Sequence, residues 1–488
     1  MTMFPKTSWR VTPPLLRLYG VALLAILMSG CALTLPPRTV PTQVSPQWQA
    51  PLPHQGALVQ LRQWWRAQGD PLLVELQDAA QEASPGVAQA NARLQSARAN
   101  QAAARAALVP RVDATLAASR GQTQPAMPAA TSLSLGAQAS WELDLVGANR
   151  VVKDAADAQV QAGQAQWHDA RVAVAAEVAS TYFGLRACRR QADIVARDAA
   201  SRQETERLTA LLLRAGMARS ADLALSQASA AESRKRLTQQ NADCDLALKA
   251  LVSLTALDET RLRQRLGTGA VAALELPGFG VAQVPVQTVS QRPDVFSAER
   301  DVVVASAAVG SAQAQRWPRL TLSGSIGALR YASTGPETDM TTWSFGPLAL
   351  SVPVFDAGQR AANVVAAQAQ YAQSVVTYRA KVRAAVREVE EALVALQSVQ
   401  ARHGDTVLAL RGYTQALEAC TLRHQKGMAS LLELEETRRM ALGAELALDA
   451  LQLERQRAWL ALYRAAGGGW EPDSSAATPL APGPSAAP

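Results

Sequence analysis

SWELDLVG, residues 140–147, and LSVPVFDAG, residues 350–358, each end an alternating stretch on a glycine, and each opens a long helical one. Gly147 and Gly358 lie 211 positions apart. The same offset carries Glu177-Val178 onto Glu388-Val389, and Ala247, Ala250 and Leu251 onto Ala458, Ala461 and Leu462. RAGMARSADL around Gly216 returns as QKGMASLLEL around Gly427. A register that holds without a gap over roughly 110 residues marks two copies of one long structural unit. Upstream, ALVPRV at Pro110 returns as QRWPRL at Pro318, an offset of 208, so about three residues are inserted between the Pro and Gly landmarks.

A chain of 488 residues has the length of three ordinary domains. Its composition argues otherwise. Alanine dominates, aromatics are 5%, and Ala/Leu/Arg/Gln/Glu segments run for dozens of residues, as in long packed helices with small residues at close interfaces. The net charge of +7 is mild and no basic stripe interleaves with aromatics, which excludes a nucleic-acid partner. No window reaches 18 consecutive apolar residues, so no transmembrane helix is indicated.

Residues 1–30 read as a secretory signal peptide. Lys6, Arg10 and Arg17 precede a short apolar core, Val21 to Met28, that is too short to span a bilayer. Met28-Ser29-Gly30-Cys31 resembles a bacterial lipobox, with Met28 where Leu is usual, and makes Cys31 the expected lipidation site. The alternative is ordinary cleavage nearby with Cys31 unmodified. Ala32 follows, where an Asp would favour inner-membrane retention, so outer-membrane sorting is expected.

Thr34 to Pro53 is Pro-rich and extended, and Asp70-Pro71 reads as a helix start. A helix from about Pro85 stops before Pro110. Between Arg111 and Trp141 the period changes to two. Val112, Ala114 and Leu116, then Leu133, Leu135 and Ala137, mark one face, with Thr, Ser and Gly on the other. The second copy repeats this hairpin in RLTLSGSIGALRY and WSFGPLALSVPVF. Runs of this length suit membrane barrel strands, although alternation alone leaves a small soluble sheet open.

From Ala148 to about Leu213 there is no Pro, and about 65 residues at 1.5 Å each extend roughly 100 Å. The chain turns at Gly216 and restarts at Ser220, taken as the cap, with Asp222 in the first turn. The return arm to Leu257 is shorter, so it and the Pro85 helix are expected end to end beside the long one. The second copy repeats that arithmetic from Gly358. Val160, Trp167, Val174, Thr181, Cys188 and Val195 lie seven apart, as do Leu223, Ala230, Leu237, Cys244 and Leu251. Such stripes imply left-handed supercoiling against neighbours, and a lone hairpin of this length needs oligomerisation to bury its surface. The expected organisation is an extended and equatorial segment at 31–84 and repeat 1 at 85–257 (β-hairpin about 111–142, helical hairpin 148–257). A mixed connector at 258–293 precedes repeat 2 at 294–466 (hairpins about 319–355 and 358–466). An end segment at 467–488 carries a disordered Pro/Ala/Ser tail.

The chain resembles the TolC-like outer-membrane efflux proteins, in their NodT-type lipoprotein branch. The matching motifs are the Cys31 lipobox, WW…DPLL from Trp64 to Leu73 and SWELDLVG at Ser140. QRPDVFSAERDVVVASAAVGSAQAQRWPRLTLSGSIG from Gln291, LSVPVFDAGQR at Leu350 and the terminal AGGGW complete the set. They span nearly the whole chain in the expected order. The resemblance implies a mainly α protein with a membrane β-barrel. Three copies would join four strands each into a twelve-stranded barrel and pair their long helices into a periplasmic α-helical barrel. It implies a passive exit duct for small toxic compounds, with a periplasmic adaptor, a proton-driven inner-membrane transporter and outer-membrane lipid as partners, and no cofactor beyond the lipid on Cys31. Two other classes compete: a duct for polypeptide secretion, which shares the fold, and a periplasmic coiled-coil adaptor, which would lack membrane-length strands.

Nothing points to an enzyme. His54, His168, His403 and His424 stand at no metal-ligand spacing. GSIG near Gly324 and GGGW near Gly467 lack the phosphate-loop pattern, and no nucleophile elbow occurs.

In the family a Leu and an acidic residue four positions later ring the periplasmic aperture, where the helix tips converge. GMASLLELEE places Leu432 and Glu436 in those roles, with Glu where Asp is common and with extra acids at Glu433 and Glu435. Positions four apart share a helix face. The competing reading is a solvated acidic first turn that complements the helix dipole. Finally, Cys188 and Cys244 lie 28 residues before and after Gly216, on the two apolar stripes. Antiparallel helices of equal rise bring them level and facing, which is the condition for a disulfide. The alternative is two unbonded core residues. Cys420 has no counterpart at its level and is expected reduced and buried.

Overall fold

The structure is a computed structural model that describes residues 33–41, 65, 70–122, 128–267, 289–333 and 336–470. The signal peptide, Cys31, Trp64, the segment 268–288 and the tail from Glu471 lie outside the described residues. Helices α1 (Pro71–Ala83) and α2 (Pro85–Ala106) precede strands β1 (Arg111–Gly121) and β2 (Ala130–Leu143). Long helix α3 (Ala148–Arg214), its return arm α4 (Ser220–Thr255) and a short α5 (Glu259–Leu266) follow. The second copy is α6 (Pro293–Ala314), β3 (Arg319–Ala332), β4 (Thr338–Ser351), α7 (Gln359–Gln425) and α8 (Leu431–Ala465). Helices α3 and α7 are each 67 residues long, about 100 Å at 1.5 Å per residue.

Local chemistry sets the helix ends. Asp70 caps α1 by accepting from the amides of Leu72 and Leu73. Asp144 accepts from the amides of Asn149 (3.1 Å) and Arg150 (3.0 Å) at the start of α3, and Asp356 does so from Gly358 and Arg360 at the start of α7. One expectation changes. Ser220 is the first helical residue rather than the cap: Arg219 occupies the cap, and the Asp222 carboxylate reaches back to its amide at 3.1 Å. Within the mixed connector, Asp258 caps α5 by accepting from the Arg261 amide, and Gly267 at φ 66° ends it.

The four strands form one antiparallel sheet in the order β1-β2-β3-β4. Its register sorts side chains cleanly. Val112, Leu116, Leu135, Ile326, Trp343 and Phe345 fall on one face, and Trp343 and Phe345 are 79% and 83% exposed. The other face carries Ser119 bonded to Ser132 (2.7 Å) and Ser325 bonded to Ser344 (2.8 Å). An irregularity between Leu322 and Gly324 takes up the extra residue of β4 at Gly346-Pro347. Strands β1 and β4 each leave one edge without a strand partner among the described residues.

Compactness divides the chain differently from the repeats. One unit holds 1–40, 97–160 and 300–375; the other holds 41–96, 161–299 and 376–488. Each draws on both copies. In the first, β2 pairs with β3, and α2 runs beside α3 through Gln101 Nε2 donating to Asp157 at 2.7 Å. The extended segment 33–40 straps onto this unit. The Ser306 hydroxyl donates to Pro36 O (2.7 Å), the Tyr371 hydroxyl donates to Pro37 O (2.8 Å), and Arg38 pairs with Asp154.

The second unit contains the main core, with Leu73, Leu76, Val178, Phe183, Leu251 and Leu462 among its buried side chains. There α2 again lies on α3, where a Cβ on Gly163 would sit 3.4 Å from Leu94 Cα. None of the seven-spaced residues on α3 or α4 is exposed, whereas most other positions of α4 are. The Arg292 guanidinium forks onto Asp294 and reaches Glu388 at 2.7 Å. Burial pushes the Asp294 carboxyl up, but the Arg292 bonds outweigh it and hold the group below the usual carboxylate range.

Candidate functional site: the helical hairpin turns

Both long helices end alike. Gly216 (φ 73°) and Gly427 (φ 74°) take the left-handed conformation. Met217 N donates to Leu212 O and Met428 N to Arg423 O, each at 2.8 Å, while the glycine amides donate to Leu213 O and His424 O. This closing pattern needs a residue free to adopt positive φ. After the second turn Ser430 caps α8, its hydroxyl accepting from the Glu433 amide at 3.1 Å. Leu432 and Glu436 follow one turn apart on one face, both exposed, Leu432 by 63%.

The acids near this turn are not equivalent. Glu433 pairs with Arg423 across the turn at 2.9 Å. Glu435 accepts from the Thr205 hydroxyl of α3 at 2.8 Å and from Arg438. Among the described residues Glu436 has no such partner, so its carboxylate is the one left open beside Leu432. Further along α8, Glu445 receives Arg197 at 2.5 Å, and Asp449 receives Arg190 and Gln191, the latter at 2.9 Å. The Glu445 bond raises the Arg197 guanidinium above its ordinary value. Sequence reasoning missed these ties between α3 and α8. Their partners stand 230 to 259 residues apart, and no periodicity links them.

Cys188 on α3 and Cys244 on α4 are bonded, with Cα atoms 5.5 Å apart. Gln240, one turn from Cys244, donates to Cys188 O at 3.3 Å. The counterparts in the second copy are Val399 and Arg455, so only the first hairpin is bridged. Cys420 is a buried free thiol. The pocket between α3, α4 and α8 beside Cys244 is lined by Arg189, Arg190, Arg197 and Arg263 together with Asp193, Asp245, Glu445 and Asp449, a balanced set of charges. Nearby, Tyr182 is pushed up to about 12 by burial and by its bond to Asp70. No cluster of three or more His, Cys, Asp or Glu with metal-binding geometry occurs among the described residues.

The sequence pattern of the Outer membrane efflux protein family matches residues 76–257 and 284–468, one segment on each copy of the repeat. The chain belongs to this family. It is therefore an outer-membrane efflux channel and not an enzyme. It is 28% identical to Nodulation protein T of Rhizobium leguminosarum bv. trifolii, over 94% of this chain and 98% of that protein. It is 27% identical to the toluene efflux pump outer membrane protein TtgI of Pseudomonas putida, over 82% and 86% respectively. The Campylobacter jejuni CmeC outer membrane channel shares the fold, with a TM-score of 0.77 at 21% identity, covering 90% of this chain and 95% of that one. The expected fold class, a mainly α protein of two tandem repeats with barrel strands, and the expected outer-membrane location hold for this channel.

Proposed function

We propose that the chain is the passive exit duct of a tripartite efflux system, acting as a homotrimer that conducts small toxic compounds. One observation carries this reading: the four-stranded sheet has an apolar face, a hydroxyl-lined face and two unpaired edges. In a bilayer every edge amide needs a partner, so such a sheet is stable only when closed with its apolar face outward. Three copies supply twelve strands. The exposed length of α4 and α7 is covered in the same step. The duct does no chemistry. A periplasmic adaptor and a proton-driven inner-membrane transporter bring and energise the cargo, and the toluene pump relative supports apolar organic compounds as part of it. Deleting the gene and its close paralogues, with adaptor and transporter expressed, is expected to raise retention of some compounds in a broad panel of toxic compounds. Retention unchanged across the whole panel rejects the reading.

Cys31 is proposed to carry lipid. Each buried CH₂ contributes about 0.8 kcal/mol, so three acyl chains anchor firmly. The barrel is an anchor in its own right, so Cys31→Ser is expected to slow sorting while function persists. Intact mass of the mature protein decides the point: an unmodified N-terminus that starts elsewhere than Cys31 removes the lipoprotein assignment.

A further inference from the structure

Helix α7 carries Arg379, Arg383 and Arg387 four residues apart, all exposed and opposite the buried stripe of Tyr378, Val382, Ala385 and Val389. Arg387 touches Glu391 on its own helix at 3.6 Å, while Arg379 and Arg383 meet no acid among the described residues. Like charges one turn apart repel, so this stripe calls for carboxylates from elsewhere. The repeat indicates where it faces. The counterpart of Arg383 on α3 is Val172, and that position is covered: a Cβ on Gly468 would meet Val172 Cγ2 at 2.4 Å. On α7 the equivalent Arg383 is exposed among the described residues.

Helix α1 supplies the complementary surface. Its inner side seats on α3 through Gln77 Nε2 donating to Ala175 O (3.2 Å) and Arg171 Nε donating to Gln81 (2.7 Å). Its outer side exposes Asp78 and Glu82, again four apart, with no partner among the described residues. Glu75 is already taken by Arg265 at 2.7 Å. Heights also agree. Residues 171–175 of α3 map onto 382–386 of α7, inside the arginine stripe. The two hairpins stand level to within about one turn: Arg190 of α3 meets Asp449, whose first-copy counterpart is Thr238, and the Cys188–Cys244 bond sets Thr238 opposite residue 194.

We infer that Asp78 and Glu82 on α1 of one copy dock against Arg379, Arg383 and Arg387 on α7 of the next copy in the trimer. This rests on the trimer proposed above. A three-fold axis along the long helices keeps every group at its own height, so acids and arginines at one level on different parts of the chain meet across the subunit boundary. The equal four-residue pitch lets two acids interleave with three cations in either helix direction.

Charge reversal tests the contact through the temperature at which detergent-resistant trimer becomes monomer. Arg379, Arg383 and Arg387 all changed to Glu, and Asp78→Arg with Glu82→Arg, are each expected to lower it by several degrees, and the two reversals together to restore most of the loss. A second arm places Asp78→Cys and Arg383→Cys in a Cys420→Ala background and adds a short bis-maleimide; covalent dimers and trimers are expected from the pair and from neither single variant. Trimers that ignore both reversals, or that lose stability additively and give no cross-link, overturn the contact and leave the trimer standing; capture of another periplasmic protein in place of a second copy overturns it equally. A wild-type protein that is monomeric overturns the trimer and the contact together.

Discussion

Single-channel conductance in planar bilayers is expected to rise several-fold when Leu432→Ala is combined with Glu436→Ala. The two side chains lie one turn apart on an exposed face at the start of α8, just past the Gly427 turn. Under three-fold symmetry each becomes a ring. An apolar ring resists wetting, and a carboxylate ring favours cations. At an aperture so lined, removing both is expected to widen it and to remove the Glu436 carboxylates. Glu436→Gln alone is expected to erase cation preference while changing conductance little, because the side chain keeps its size. Glu433 and Glu435 serve as internal controls, since their carboxylates are held by Arg423 and by Thr205 with Arg438. Their replacement by Gln is expected to loosen the tip without removing ion preference. If conductance and preference are both unchanged in the double variant, these residues are only a solvated first turn in the helix dipole.

Replacing Cys188 and Cys244 together by serine is expected to cost about 4 kcal/mol of stability. The bond closes a sequence separation of 56 residues, and the chain-entropy account gives roughly that value for such a loop. The periplasm is oxidising, so the bridge forms and persists there. Reductant is expected to lower the thermal midpoint of the wild type and to leave the double variant unmoved. Cys420 is a poor candidate for interference because it is buried. Peptide mapping without reductant supplies the decisive measurement: free thiols at both positions would show that the helices meet there without a bond. The second hairpin, with Val399 and Arg455 at these places, has no such brace. Its return arm is instead fastened to α3 by Glu435, Glu445 and Asp449.

Most features under local control are legible in the residues alone, with the α4 cap, read as Ser220 and found at Arg219, as the exception. Gly216 and Gly427 close their helices because only glycine adopts positive φ without strain. Alternation at Val112–Leu116 and Leu133–Ala137 marks strands because successive side chains leave opposite faces of a sheet. The level placement of Cys188 and Cys244 follows from equal rise along two antiparallel helices. The doubling itself is visible because one offset of 211 preserves the register. Only the tertiary structure decided the rest. That Glu436 stands open while Glu433 and Glu435 are engaged depends on Arg423 and Thr205, the latter 230 residues from Glu435. That the segment around Pro36 and Pro37 straps onto Ser306 and Tyr371 joins residues 270 and 334 positions apart. Periodicity and capping act over one or two turns, whereas these contacts exist only once the two repeats have folded against each other.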